Sequence, residues 1–277
     1  MKNSPPIIGC NLIDPELEVT KGSDYSLAIT ERSLAFLKKI GFQAVEFSHG
    51  SHWTEEECET VRHITEKLGL LAWSLHAWTG GDVSTEEGAR KTRESLTVAV
   101  RNAVLLGVQT VIHHPCGKEM QTASSKSLLE QEAALLADIW KPGMRFALEN
   151  MRSLGTMEYA LALAEALSEQ RAGICVDTGH AALGDLGPAR AIRMAGPRLV
   201  TTHIQDNQGE RDDHLPPGDG TIAWDEVVEA LNEVAYPGVL MLELTDQPAD
   251  SGRRPGIREE LKRGRIFAAG MAAALQG

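Results

Sequence analysis

Nowhere does the chain carry an apolar run long enough to span a bilayer, and its opening residues, MKNSPPIIGC, contain no apolar segment of the kind that directs secretion. Its four cysteines, Cys10, Cys58, Cys116 and Cys175, are scattered without paired spacing, which argues against a disulfide framework and a zinc knuckle alike. Basic charge is also short: 27 Lys and Arg stand against 39 Asp and Glu, a net charge of −12. A dedicated nucleic-acid binder gains affinity by neutralising phosphates, so this balance disfavours nucleic acid as a partner. No low-complexity tract is present. The expectation is a soluble, cytoplasmic protein with no membrane partner.

What the chain does have is a large apolar fraction, 42% of 277 residues, distributed in short runs. The strand-like runs are Ile7–Leu12, Ala44–Ser48, Leu70–His76, Val108–His114, Arg145–Glu149, Gly173–Asp177, Leu199–Ile204 and Val239–Leu244. Between them lie amphipathic segments over Tyr25–Ile40, Thr54–Leu68, Thr85–Leu106, Ser124–Trp140, Met157–Glu169, Pro188–Ala195, Trp224–Ala235 and Ile257–Ala274. Gly41, Gly69 and Gly107 stand where helix C-terminal glycines belong. Eight strand–helix pairs without a break in composition predict a parallel sheet closed on itself, a single (β/α)8 TIM barrel spanning residues 1–277.

The ends of the predicted strands carry the chemistry. They fall on His76, the His113–His114 pair, Glu149, Asp177 (with His180 one turn on), His203 and Glu243. Parallel strands closed into a barrel bring these ends to one rim, where active sites of this architecture are built. Adjacent strand residues face opposite sides, so only one of His113 and His114 can point inward, and His113 is the weaker candidate. Each group alone reads as an ordinary ion pair or core histidine. Their repetition strand after strand favours a shared cation, because buried charges must be paired or metal-bound.

Glu149, Asp177, His203 and Glu243 offer three oxygen ligands and one nitrogen. That set suits one Mn²⁺, with Mg²⁺ or Co²⁺ as alternatives and Zn²⁺ not excluded. The expected reaction removes a proton next to a sugar carbonyl through a metal-stabilised enediolate, with Glu149 and Glu243 as base and acid. Ligation weakens a carboxylate as a base, so each glutamate must keep one oxygen free.

His76, His114-Pro115, the LEN ending at Glu149–Asn150, the DTGH of Asp177–His180, HIQDN from His203 and DDHLPPGDGTIAW together resemble the xylose-isomerase-like barrel superfamily. Sugar-phosphate isomerases and epimerases, ketose 3-epimerases, inosose-processing enzymes and endonuclease IV make up that group. The resemblance implies the same four single-metal ligands and the same glutamate pair. It also implies an alternative, an abasic-site endonuclease with a multinuclear zinc site, since counterparts of all nine of its ligands are present; His76, His114, His180, Asp212 and His214 complete the set. An inosose-type dehydratase is a further alternative, and a non-catalytic sugar-binding barrel another. The expected partner is a small sugar, phosphorylated or not, and self-association stays open.

Secondary expectations complete the reading. Trp53, Trp73 and Trp78 fall near the rim, where they either stack on a sugar or fill the core. Glu46 is a substrate hydroxyl contact or an ion-pair partner, and Arg211 a contact for a hydroxyl or phosphate. Cys116 is a small packing residue, and His49, His52 and His63 are surface residues.

Overall fold

Parallel strands covered by helices on their outer face are buried on both sides, which is why they read as unbroken apolar runs. The computed structural model describes residues 6–16, 25–77, 83–116, 126–244 and 256–275. Its strands are β1 (Ile8–Asn11), β2 (Ala44–Phe47), β3 (Leu71–His76), β4 (Thr110–His113), β5 (Arg145–Glu149), β6 (Ala172–Asp177), β7 (Leu199–His203) and β8 (Leu240–Leu242). Neighbours run in chain order, with β1 also pairing β8 in parallel. The ring closes between β7 and β8, where the Ile204 N–H donates to the Met241 carbonyl and the Glu243 N–H to the Ile204 carbonyl. The chain is a (β/α)8 TIM barrel, as its strand ends predict.

The helices are α1 (Leu27–Lys39), α2 (Glu55–Lys67), α3 (Glu86–Leu106), α4 (Lys126–Ile139), α5 (Leu154–Leu167), α6 (Thr178–Ala182), α7 (Pro188–Ala195), α8 (Trp224–Glu233) and α9 (Ile257–Ala274). Local chemistry sets their ends. Thr54 and Glu57 form a reciprocal capping box on α2, and such a cap contributes about 1 kcal/mol. Gly107 ends α3 in the left-handed region at φ 75°, which glycine enters without a Cβ clash. Helix α5 starts three residues earlier than its apolar period suggests, because Ser153 caps it. The short α6 is not visible in the periodicity at all: Asp177 ends β6 and caps the next turn, accepting from the His180 N–H. Among the described residues no helix is long and apolar enough to cross a membrane.

Two strands carry an extra residue. On β3 the partners of Val45 and Glu46 are Ala72 and Ser74, so Trp73 is a bulge; on β7 Val200 is skipped in the same way. A bulge shifts the inward phase of everything after it. Trp73 therefore packs inside the barrel against Ala44, Val239 and Met241, and its indole N–H donates to Thr201 Oγ1 at 2.9 Å. It fills the barrel and is not at the rim. Trp53 is likewise core, edge-on to Phe47 and bonded to the Tyr25 carbonyl; Trp78 lies outside the described residues. His49 is also not a surface residue: it is buried and stacked on Tyr25 with centroids 4.4 Å apart. His52 and His63 are exposed.

Candidate metal centre

The last residues of β5, β6 and β7 are Glu149, Asp177 and His203, and Glu243 stands one residue past β8. These four each offer a ligand atom, and the four atoms lie within 4.8 Å of one another; His76, Glu149 and His203 form an overlapping group. Glu149 is at the middle. Its Oε2 is 3.1 Å from His114 Nε2, 3.2 Å from His203 Nδ1 and 3.5 Å from His76 Nε2, and its Oε1 is 3.2 Å from His180 Nδ1. None of these approaches is aligned as a hydrogen bond. Among the described residues, both Glu149 oxygens, His203 Nδ1 and Glu243 Oε2 are buried without a hydrogen-bond partner. Buried polar atoms are nearly always hydrogen-bonded. Orphaned atoms converging on one point, all of them good ligands for a divalent ion, fit a cation.

His203 shows how the centre is prepared. Its Nε2 donates to Glu46 Oε2 at 3.1 Å, and the same oxygen accepts from Ser74 Oγ at 2.6 Å. With the proton on Nε2, the Nδ1 lone pair faces Glu149 and Glu243, each 3.2 Å away. This carboxylate–imidazole arrangement fixes tautomer and ring orientation at metal sites. Glu46 is fully buried, and these two donors both engage its Oε2. Arg211 is exposed and donates to Asp213 Oδ1 at 2.6 Å, which engages its guanidinium with its own loop.

A second tier of side chains leans on the first. His180 donates from Nδ1 to the Asn150 carbonyl at 3.1 Å and from Nε2 to Asp212 Oδ2 at 2.9 Å. His214 Nε2 lies 3.5 Å from the same Asp212 oxygen, and its Nδ1 is 3.3 Å from the Glu243 carbonyl. His214 holds φ at 47°, a left-handed conformation costing about 1–2 kcal/mol for a residue with a Cβ. The loop bearing Asp212 and His214 is shaped by Asp206, whose carboxylate accepts from the N–H groups of Asn207, Gly218 and Ile222 and from the Trp224 indole. His113 points away from this cluster, its Nε2 donating to Glu132 on α4 at 2.8 Å.

Electrostatics follow from the crowding. Burial pushes the Asp177 carboxyl up to about 7, with Glu243 and Glu149 adding to the rise against the pull of His180. Burial acts in the same sense on Glu149, yet His114 and His203 outweigh it and hold that carboxyl well below its ordinary range. Glu243 is also held low, His203 overcoming its burial. Burial opposes the charged form of His214, but Asp212 and Glu243 raise it to about 9. His203 and His180 are raised well above their ordinary value against the same penalty, while burial leaves His114 lowered.

Sequence reasoning missed Gln205 and the role of Asn150. Gln205 Nε2 lies within 3.1–3.3 Å of both Asp177 oxygens and 3.1 Å from Asp212 Oδ1, tying the two tiers together. Asn150 holds the Asp177 backbone. Both stand in quoted motifs, HIQDN and LEN, but a neutral amide beside acidic ligands carries no periodic signal.

Comparison with known proteins gives a consistent picture. The family described as "Xylose isomerase-like TIM barrel" matches residues 34–266. An uncharacterized protein of Sinorhizobium fredii is 26% identical over 240 residues, 74% of this chain and 77% of that protein. D-psicose 3-epimerase of Enterocloster bolteae is 33% identical over 90 residues, 32% of this chain and 28% of the epimerase. The solved structure of an L-ribulose 3-epimerase superposes with a TM-score of 0.76 at 20% identity, covering 97% of this chain and 95% of that one. At that identity the likeness is one of fold.

Proposed function

As the chain belongs to the xylose isomerase-like TIM barrel family, we propose that it is a divalent-metal-dependent isomerase or epimerase of a sugar, sugar phosphate or cyclitol, which removes a proton from the carbon beside a carbonyl. One observation carries the reading: four candidate ligand atoms from four separate strand ends lie within 4.8 Å of one another, and some of them are buried with no hydrogen-bond partner among the described residues. The family and the fold-level likeness to a sugar 3-epimerase support the substrate class.

Glu149, Asp177, His203 and Glu243 would hold the ion, Mn²⁺ foremost, with Mg²⁺, Co²⁺ or Zn²⁺ as alternatives. When bound, it would supply Lewis-acid stabilisation of negative charge on the substrate oxygens. Glu46 keeps the His203 proton on Nε2 and so keeps Nδ1 turned toward the centre. Glu149 and Glu243 are the proton acceptor and donor, each using an oxygen not committed to the ion. The low proton affinity of both carboxyls keeps them ionised near neutrality, the form the acceptor needs, so the glutamate that donates must first take up a proton from solvent. His76 and His114 border Glu149 and restrain its carboxylate.

A test is available without knowing the sugar. Mn²⁺-loaded protein is incubated with a panel of ketoses and inososes in D₂O, and deuterium is read at the carbon beside the carbonyl. Wild type should exchange with at least one. Glu149→Gln and Glu243→Gln should each abolish exchange while circular dichroism stays native, and full exchange in either variant would remove the mechanism. A second reading, a multinuclear abasic-site nuclease, draws on the His180–Asp212–His214 group beside the centre. Metal content separates the two: one tightly bound ion per chain favours the sugar enzyme, three the nuclease.

A further inference from the structure

Two asparagines make the same unusual contact at two places on the C-terminal rim of the barrel. Regular pairing of β5 with β6 stops at Glu149 and Cys175, and that of β1 with β8 stops at Cys10 and Leu242. One residue beyond each stop a side-chain amide takes over, reaching the residue two beyond the stop on the other strand. Asn150 Oδ1 accepts the Asp177 N–H at 2.9 Å while its Nδ2 donates to the Asp177 carbonyl at 3.1 Å. Asn11 Oδ1 accepts the Leu244 N–H at 3.0 Å while its Nδ2 donates to the Leu244 carbonyl at 2.8 Å. One planar carboxamide thus meets both backbone groups of one residue, as a neighbouring strand would. Both asparagines are buried.

The residues caught in this way matter for the centre. Asp177 is itself one of the four ligand-bearing residues, and Leu244 directly follows Glu243, which stands past the end of β8. Neither carboxylate is fixed by sheet pairing on the asparagine side. A ligand must be held to within about half an ångström to bind an ion well, and a strand end frays unless its backbone groups are paired.

We propose that Asn11 and Asn150 are positioning residues for the metal centre, each carboxamide replacing the missing strand pairing that would hold Glu243 and Asp177 in place. The inference rests on the metal-centre reading above. It concerns the backbone that carries the ligands rather than the ligands themselves. Other buried asparagines need not share this role. Asn102, for example, donates to the carbonyls of Gly50 and Trp53 at 2.8 and 2.9 Å and touches none of the four ligand residues.

The test compares metal affinity with stability. Chelator-stripped wild type, Asn11→Ala, Asn150→Ala and Asn102→Ala are titrated with Mn²⁺ by calorimetry, and each is melted without metal. Asn11→Ala and Asn150→Ala should weaken Mn²⁺ binding by about 10- to 100-fold, the usual loss when a support of a metal ligand is removed. Asn102→Ala should lower the melting temperature and leave the affinity unchanged, which separates positioning from general stability. Should an alanine variant fail to fold, the serine variant at that position carries the same measurement. Wild-type binding with unaltered affinity in both Asn11 and Asn150 variants overturns the inference alone. No Mn²⁺ binding by wild type overturns the metal centre, and the inference with it.

Discussion

Replacing Glu132 with leucine should destabilise the chain by about 3–5 kcal/mol, the range for stripping a buried carboxylate from the groups it bonds. Glu132 is fully buried behind β4, and its carboxylate accepts from His113 Nε2 at 2.8 Å, the Cys116 N–H at 2.9 Å and the Tyr159 hydroxyl at 2.7 Å. Leucine leaves three buried donors facing apolar carbon, each costing about 1–3 kcal/mol if nothing moves. Rotation of the Tyr159 hydroxyl relieves part of this, which brings the sum toward the lower range. For a chain of this size 1 kcal/mol corresponds to roughly 2–4 °C, so the melting midpoint should fall by roughly 6–20 °C. Scanning calorimetry on metal-free protein reads it directly, and a leucine variant melting within about 2 °C of wild type would refute the reasoning.

The same carboxyl predicts a pH dependence. Burial pushes it up, but His113, the Cys116 N–H and the Tyr159 hydroxyl together hold it below the ordinary glutamate value. A carboxyl depressed in the folded state contributes stability that is fully present above its unfolded pKa, about 4.3. That contribution is lost as pH falls through the folded value. The gap in stability between wild type and Glu132→Leu should therefore be widest near neutrality and shrink in acid below about pH 4. A gap that stays constant into acid would show that Glu132 is not ionised in the fold.

Two further outcomes follow from the geometry. Adding Mn²⁺ to about 100 times its dissociation constant should stabilise stripped protein by about 2.7 kcal/mol, and the melting shift should be lost in Glu149→Gln. Gly184→Ala should destabilise by about 1–3 kcal/mol, because a Cβ there would collide with the Arg152 carbonyl oxygen, a backbone atom with no rotamer to yield; a urea titration measures it.

The residues of the candidate centre were legible because their signal is local. Glu149, Asp177 and His203 each end an apolar run, and the topology of a parallel barrel carries every run-end to one rim, so position along the chain converts into position in space. The same rule fails at Trp73, where alternation alone cannot register that β3 holds a bulge and turns the indole inward. It fails at His49, whose loop position suggests exposure until Tyr25 is found stacked against it. It fails most instructively at Glu46. That carboxylate and His203 lie 157 residues apart on β2 and β7, strands not paired with each other, and meet only because the ring closes. No periodic pattern encodes such a meeting, yet it decides which nitrogen of His203 is free for the centre. Run-ends report which groups face the rim, while the protonation and aim of those groups depend on partners that only the closed barrel brings together.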